Sequence, residues 1–214
     1  MVKLKKICEY LDEYLKINNF EDISWNGLQV EGKDDVKKIA FAVDACNEVF
    51  EKAIKENVDM IITHHGLFLK GNNPSIVGFN KERIKKLFDN DISLYSVHLP
   101  LDYHDTVGNN VQLIELVGGK VNEILDKGLV VGEFKKPILI DNILYRLNSY
   151  LKTDCRKIFF GKKKIKNFAV CSGGPGFGKF FEAMDLGVDL FISGEPRDIY
   201  QLAKDRNFNV IFAG

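Results

Sequence analysis

Two adjacent histidines end an apolar run in the segment Val58-Asp59-Met60-Ile61-Ile62-Thr63-His64-His65-Gly66. The next apolar run, Ile92-Ser93-Leu94-Tyr95-Ser96-Val97, continues into His98-Leu99-Pro100-Leu101-Asp102. Each run is typical of a buried strand, and two neighbouring parallel strands would bring both clusters to one edge of a sheet. Imidazole nitrogen and carboxylate oxygen together suit zinc, iron or manganese. The pattern therefore predicts a metal site built from His64, His65 and Asp102.

The adjacency of His64 and His65 bears on the number of metal ions. Successive side chains of a regular strand point to opposite faces, so the two rings should not share one ion within the strand. Two divalent transition-metal ions (Zn, Mn or Fe) about 3.5–4 Å apart, each bound by one histidine, would fit and would suit hydrolysis. Three residues cannot fill two coordination spheres, so further ligands are needed. The reserve candidates for these ligands are His98, His104, Asp105 and Glu195. The alternative to a metal site is that the histidines cap helices or lie in the core with hydrogen-bond partners.

Charge and composition restrict the partners and the compartment. The 214 residues include 30 basic and 30 acidic side chains, so no global field attracts nucleic acid or a membrane surface. The charged start of the chain lacks a signal-peptide pattern, and no apolar segment is long enough to span a bilayer. The four cysteines show no CxxC pair and are predicted to be reduced thiols. We expect a cytoplasmic protein.

Strand-like and helix-like patterns alternate along the chain. Leu4, Ile7, Cys8, Leu11 and Leu15 recur at helical spacing and predict an opening amphipathic helix. The run from Ile39 to Val43 predicts a buried strand, and Asp44 is a possible N-cap of the helix that follows. Alternation of this kind is typical of an α/β fold whose mostly parallel sheet binds ligands beyond the carboxyl ends of its strands.

The chain also contains an internal repeat. A shift of 130 residues superposes Phe50, Ala53, Val58, Asp59 and Ile62 on Phe180, Ala183, Val188, Asp189 and Ile192. The predicted fold is therefore α/β, with two related α/β units that arose from an internal duplication. We expect a first unit over residues 1–125, an inserted second unit over 126–190, and a return of 191–214 toward the first unit.

The repeat also predicts that the site continues beyond the last residue. The segment Val210-Ile211-Phe212-Ala213-Gly214 occupies the place of Leu94-Tyr95-Ser96-Val97-His98, and a ligand-bearing loop would come next. We therefore expect residues after Gly214 to complete the metal site, and the 214-residue form to bind metal weakly.

Two further segments could bind anions. Gly173-Gly174-Pro175-Gly176-Phe177-Gly178-Lys179 begins like a phosphate-binding P-loop, but Phe180 replaces the required Ser or Thr, which favours a simple glycine-rich turn. Residues 152–166 carry seven basic side chains and could contact nucleic acid. A hairpin with solvated lysines in its turn is the interpretation that we favour.

Five motifs together resemble one family. They are Asn26-Gly27-Leu28-Gln29-Val30, Thr63-His64-His65-Gly66, His98-Leu99-Pro100-Leu101-Asp102, Gly108-Asn109-Asn110 and Ser193-Gly194-Glu195, in this order. The chain resembles the Nif-three-like family, whose members are often catalogued as GTP cyclohydrolase I type 2 homologues. The resemblance implies a two-domain α/β fold, a homohexamer and a dinuclear centre in which His64, His65 and Asp102 bind the metals. In the family, a histidine and a glutamate that would lie beyond Gly214 complete both spheres.

Two functions follow from the resemblance and the residues. The first is a metal-dependent hydrolase that opens the imidazole ring of GTP or another purine, with His98 or Glu195 transferring protons. The second is a non-enzymatic hexameric scaffold or adaptor that binds a protein or a nucleic acid. GTP turnover would favour the enzyme, whereas salt-sensitive oligonucleotide binding without turnover would favour the scaffold.

Overall fold

The structure is a computed structural model that describes residues 1–125 and 128–214. The chain divides into two compact units, Met1–Leu101 and Asp102–Gly214. The division falls within a short helix, α4 (Leu99–Asp102). No helix in these two ranges is long and apolar enough to cross a membrane.

The first unit is built around a sheet with the spatial order β2-β6-β5-β4. The strands β4, β5 and β6 are parallel, and β2 pairs antiparallel with β6. Helices α2 and α3 pack with Ile61 and Leu94 on one face. Helix α1 packs with Met60 and Tyr95 on the other. The bounds are α1 (Leu4–Tyr14), α2 (Asn47–Lys55), α3 (Gly78–Phe88), β1 (Val2–Lys3), β2 (Gly27–Val30), β3 (Asp35–Val36), β4 (Ile39–Asp44), β5 (Met60–His65) and β6 (Ser93–Ser96).

The second unit has a sheet with the order β7-β8-β10-β11-β12-β9. The strands β10, β11 and β12 are parallel, and β9 pairs antiparallel with β12. Helices α5 and α6 pack against one face of this sheet, and α7 and α8 against the other. The bounds are α5 (Asn109–Leu116), α6 (Ile140–Leu151), α7 (Phe177–Asp185), α8 (Tyr200–Asp205), β7 (Lys120–Ile124), β8 (Val130–Leu139), β9 (Arg156–Phe159), β10 (Lys164–Cys171), β11 (Leu190–Ser193) and β12 (Asn209–Phe212).

The two units share one topology, which confirms the predicted duplication. The order α1-β2-β4-α2-β5-α3-β6 in the first unit corresponds to α6-β9-β10-α7-β11-α8-β12 in the second. Each series forms three parallel strands and one antiparallel edge strand. The first helix of each series is followed by a lysine with positive φ, Lys16 at 52° and Lys152 at 53°. The repeat therefore extends from β4 toward the N-terminus and includes α1 and β2, which correspond to α6 and β9.

The structure places the domain boundaries differently from the predicted ones. The division falls after Leu101, whereas the expected start of the second unit, residue 126, lies outside the described residues. The strands β11 and β12 pair within the sheet of the second unit. β11 pairs with β10, and β12 pairs with β9, so the strands of residues 191–214 belong to the sheet of the second unit. The return of this segment toward the first unit stays a prediction.

Two local expectations also differ from the structure. The strand β4 lies at a sheet edge, where Phe41 is 77% exposed and Val43 is 61% exposed, so this run is not a buried strand. The basic residues 152–166 do not form a hairpin, because β9 and β10 pair with different strands. In this segment Lys162 pairs with Asp189, and Lys166 with Glu133.

Each unit contains an aspartate directly before its second parallel strand, Asp59 in the first unit and Asp189 in the second, and Asp59 is buried while Asp189 is partly buried. The Asp59 carboxylate accepts hydrogen bonds from the backbone N–H groups of Lys37 and Lys38 at 2.7 and 2.9 Å, and it pairs with Lys33. Burial alone would raise the pKa of Asp59, but these bonds outweigh burial and lower the pKa to about 2. Asp189 in the second unit similarly accepts bonds from the N–H groups of residues 166 and 167, at 2.9 and 3.3 Å.

We expect Asp59→Asn to lower the free energy of unfolding by about 2 kcal/mol at neutral pH, since the folded state favours the ionised carboxylate. The lowered pKa means that this stabilisation is complete above pH of about 4 and is lost as the pH falls toward about 2. Urea unfolding across this pH range measures the effect. Asp89→Asn, which removes an exposed pair with Lys85, is the control and should change stability little. Equal effects of the two substitutions would contradict the assignment.

Candidate metal centre

Three histidines of the first unit converge at the carboxyl ends of β5 and β6. His64 and His65 end β5, and His98 follows β6 by two residues. The ring centroid of His64 lies 4.7 Å from that of His65 and 5.1 Å from that of His98. One ligand atom from each ring lies within 4.8 Å of the others, so the three could hold a metal ion.

The hydrogen bonds of the three rings set their tautomers. His64 Nδ1 bonds the Val97 carbonyl oxygen at 3.0 Å, and His65 Nδ1 bonds Asp44 Oδ1 at 2.8 Å. His98 Nδ1 bonds Asp22 Oδ1 at 2.8 Å. Carbonyl and carboxylate oxygens only accept, so Nδ1 carries the proton and Nε2 is the nitrogen that could coordinate a metal. This is the arrangement in which metal-binding histidines are normally held.

The spacing of the cluster fits metal chemistry. Bonds of about 2.1 Å let one zinc ion join nitrogens up to about 4.2 Å apart, and a pair of ions spans more. The ligand atoms of the three rings lie within 4.8 Å of one another, which is close to this range. The donor set, three imidazole rings, suits a divalent transition metal.

Asp22 holds His98 from a buried position. Its carboxylate also accepts hydrogen bonds from the Ser24 and Leu99 N–H groups at 3.1 and 2.9 Å, and from Asn26 Nδ2 at 3.0 Å. Burial alone would raise the pKa of Asp22, but the bonds from His98, Asn26, Leu99 and Ser24 lower it overall. Asp22 is therefore an ionised carboxylate that orients a cluster ring. Asp22 and Asp44 are absent from the predicted site, and Asp44 does not cap α2, whose N-cap is Cys46.

The other predicted site residues belong to the second unit. The Asp102 carboxylate accepts hydrogen bonds from Asn109 Nδ2 at 2.6 Å and Ser172 Oγ at 3.1 Å. Asn110 donates to the Asp102 carbonyl oxygen and accepts from the Ser172 N–H. These contacts give the Asn109-Asn110 pair a role in fixing Asp102.

His104 and Asp105 lie in the loop that follows α4. His104 Nδ1 accepts hydrogen bonds from Thr106, through its N–H at 3.2 Å and its hydroxyl at 3.1 Å. Asp105 lies 3.5 Å from the same nitrogen. The acceptor role of Nδ1 gives His104 a function in shaping this loop.

Glu195 occupies the position in the second unit that His65 occupies in the first, since the two are related by the 130-residue repeat. Its carboxylate lies against Gly174, where an added Cβ would come within 2.4 Å of Glu195 Oε2. The glycine-rich segment thus makes room for Glu195. Lys179, the P-loop-like lysine, pairs with Glu182 at 2.7 Å, as expected for a glycine-rich turn before a helix.

We expect Asp22→Asn to lower the affinity of the chain for Zn²⁺ or Mn²⁺ by about 10–100-fold, because the His98 ring loses its charged acceptor. Competition with a chromophoric chelator measures this affinity. Asp44→Asn, at an exposed acceptor of His65, tests the same effect with less risk to the fold. Asp34→Asn, which removes an exposed partner of Lys3, is the control. Unchanged affinity in both test variants would show that the acceptors do not support the site.

The chain has relatives along its whole length. It is 40% identical over 219 residues to a GTP cyclohydrolase 1 type 2 homolog of Archaeoglobus fulgidus, covering 100% of this chain and 86% of that protein. It is 42% identical over 217 residues to the protein of that name from Pyrococcus abyssi, covering 98% and 86%. The crystal structure of TTHA1606 from Thermus thermophilus matches with a TM-score of 0.91 at 37% identity, covering 100% and 86%. The sequence profile of DUF34/NIF3 (NGG1p interacting factor 3) matches residues 2–214, and the chain therefore belongs to this family.

Proposed function

We propose that this protein is a metal-dependent hydrolase that acts on GTP or another purine at a centre of two divalent transition-metal ions. The observation that carries the proposal is the group of three histidines within 4.8 Å, each held through Nδ1 by an oxygen acceptor. The names of the relatives support the substrate class. His64, His65 and Asp102 are the proposed ligands, and His98 joins them because it lies in the cluster.

The bound metal would supply Lewis acidity and a water that ionises near neutral pH. The residues of the chain would orient the metal ligands and transfer a proton. Asp22, Asp44 and the Val97 carbonyl hold the three rings in one tautomer, so that ligand binding needs little reorganisation. Water adds to the imidazole carbon of the purine, a carbon–nitrogen bond breaks, and one residue must accept and return a proton. We assign this transfer to Glu195, the counterpart of His65 in the repeat.

The test combines metal content with turnover. We expect the double variant His64→Ala, His65→Ala to lose bound metal and GTP turnover together, because it removes two ligands. Glu195→Gln should retain metal while kcat falls by about 10²–10⁴-fold, since only proton transfer is lost. Elemental analysis and chromatography of the nucleotide products measure the two properties.

Two outcomes would overturn the proposal that the protein is a metal-dependent hydrolase. Unchanged metal content in the double variant would contradict the proposed metal site. Metal-loaded protein that turns over no purine nucleotide would contradict the proposed activity. If the second outcome came with salt-sensitive oligonucleotide binding, it would favour a non-enzymatic scaffold.

We also propose that the protein assembles as a homohexamer, and that the edge strand β4 takes part in a contact between copies. Phe41 and Val43 are 77% and 61% exposed on this strand, which leaves apolar side chains and a free strand edge in water. Proteins normally cover such an edge, because it otherwise pairs with other chains.

We expect Phe41→Glu to reduce the assembled mass, since a charge would be buried at the contact. Sedimentation velocity measures the mass. Tyr145→Glu, at an aromatic residue of α6 that is 73% exposed, is the matched control and should leave the mass unchanged. A monomeric wild-type protein, or a Phe41→Glu variant of wild-type mass, would contradict the proposal.

A further inference from the structure

An open cleft of about 700 Å³ lies in the first unit beside the histidine cluster. One wall is the segment 25–29 and the other is the segment 66–74, which begins directly after His65. Gln29 joins the two walls, because its Nε2 donates to the Trp25 carbonyl at 2.6 Å and its Oε1 accepts from the Leu67 N–H at 2.7 Å. An added Cβ at Gly66 would come within 2.3 Å of this amide. The cleft is therefore tied to the strand that carries two of the cluster histidines.

The walls present apolar side chains to solvent. Trp25 is 57% exposed, Leu28 39% and Leu69 40%, and Phe68 also lines the cleft. A concave surface lined by exposed aromatic and aliphatic groups is typical of a site for a small organic ligand. The Trp25 indole offers a flat face on which a planar ring can stack.

The charged groups that line the cleft, among residues 1–125 and 128–214, are both cationic. They are Lys70 and Arg83, and neither has a carboxylate partner in these ranges. Arg83 donates to the Ala45 carbonyl, while its buried Nε has no hydrogen-bond partner among the residues described. Burial lowers the pKa of Arg83, and a bound anion would offset this cost. The charge of the cleft thus favours an anionic ligand.

Five amide side chains line the cleft, and two of them remain available to a ligand. Asn72 and Asn80 face the cleft, and their side-chain amides have no hydrogen-bond partner within the described part of the chain. An amide offers both donors and an acceptor, which matches the edge of a heteroaromatic ring. The cleft thus combines a stacking surface, hydrogen-bonding amides and unpaired cations.

We propose that this cleft binds a small organic anion with a planar heteroaromatic ring, which stacks on Trp25 while its anionic group lies against Lys70 and Arg83. The inference deepens the proposed function and rests on it for one point, that such a ligand is the substrate. Binding itself requires no metal, so the cleft can be tested separately from the hydrolysis.

The single tryptophan of the chain makes the test direct, since Trp25 is the only source of indole fluorescence. The protein is titrated in chelator with guanosine 5′-monophosphate, guanosine and ribose 5-phosphate, with excitation where guanine does not absorb. We expect saturable quenching by the nucleotide, at least about tenfold weaker binding of guanosine, and no quenching by the sugar phosphate. A parallel titration with nicotinate and nicotinamide uses a carboxylate in place of the phosphate. Tighter binding of nicotinate than of nicotinamide would support the proposal with a carboxylate as the anion.

Lys70→Gln should weaken binding of the nucleotide about tenfold and leave guanosine unchanged, because only the anionic contact is lost. Lys55→Gln, at an exposed lysine of α2 outside the cleft, is the matched control. The proposal is overturned if no ring compound quenches Trp25 saturably, or if the two lysine variants bind the nucleotide equally well. Nucleotide binding in chelator, together with no turnover by metal-loaded protein, would support the cleft as a binding site and contradict only the hydrolase activity. Turnover by metal-loaded protein without saturable quenching of Trp25 would support the hydrolase activity and contradict the cleft as the binding site.

Discussion

The pairing of β5 with β6 is the constraint on which the candidate centre depends. The two strands are parallel, with Thr63 opposite Ser96, and their buried hydroxyls are hydrogen-bonded at 2.8 Å. The Val97 N–H continues the ladder to the Thr63 carbonyl at 2.9 Å. This register places His64 and His98 at the same sheet edge, within reach of each other. A slip by one residue would turn the side chains to the other face and separate the rings.

A comparison of the two units distinguishes residues that support the fold from residues that could carry chemistry. Asp59 and Asp189 make the same backbone contacts in both units, so the anchor of the second parallel strand was retained. The strand ends diverged, since His64-His65 corresponds to Gly194-Glu195. The aspartate anchor fixes strand position in each unit, whereas the solvent-facing strand ends tolerate different residue types.

The fold and the core of the site could be predicted because both depend on local patterns. The alternation of strands and helices, the 130-residue repeat and the position of His64 and His65 at a strand end are all visible in the sequence. The helices α1 and α6 also correspond, but at a shift of 136 residues, because the segments that follow them differ in length. The first part of the repeat is therefore not visible at a shift of 130 residues.

The remaining features depend on contacts between distant segments. Asp22 is 76 residues from His98 and Asp44 is 21 residues from His65, so no spacing identified them as acceptors. The apolar run of β4 has the same composition whether its strand is central or at an edge, and only the sheet order decides its exposure. The domain boundary differed for a similar reason, because β11 and β12 have the pattern of buried strands in either sheet.

The buried carboxylate of Asp22 joins the histidine cluster of the first unit to the segment that carries Trp25. It accepts hydrogen bonds from Ser24 and Asn26, on either side of Trp25, and from the ring of His98. A ligand that displaced the Trp25 segment would therefore act on the acceptor of a cluster ring through these hydrogen bonds. If a ligand in the cleft changed the affinity for the metal by some factor, the metal would change the affinity for that ligand by the same factor, because binding free energies are reciprocal.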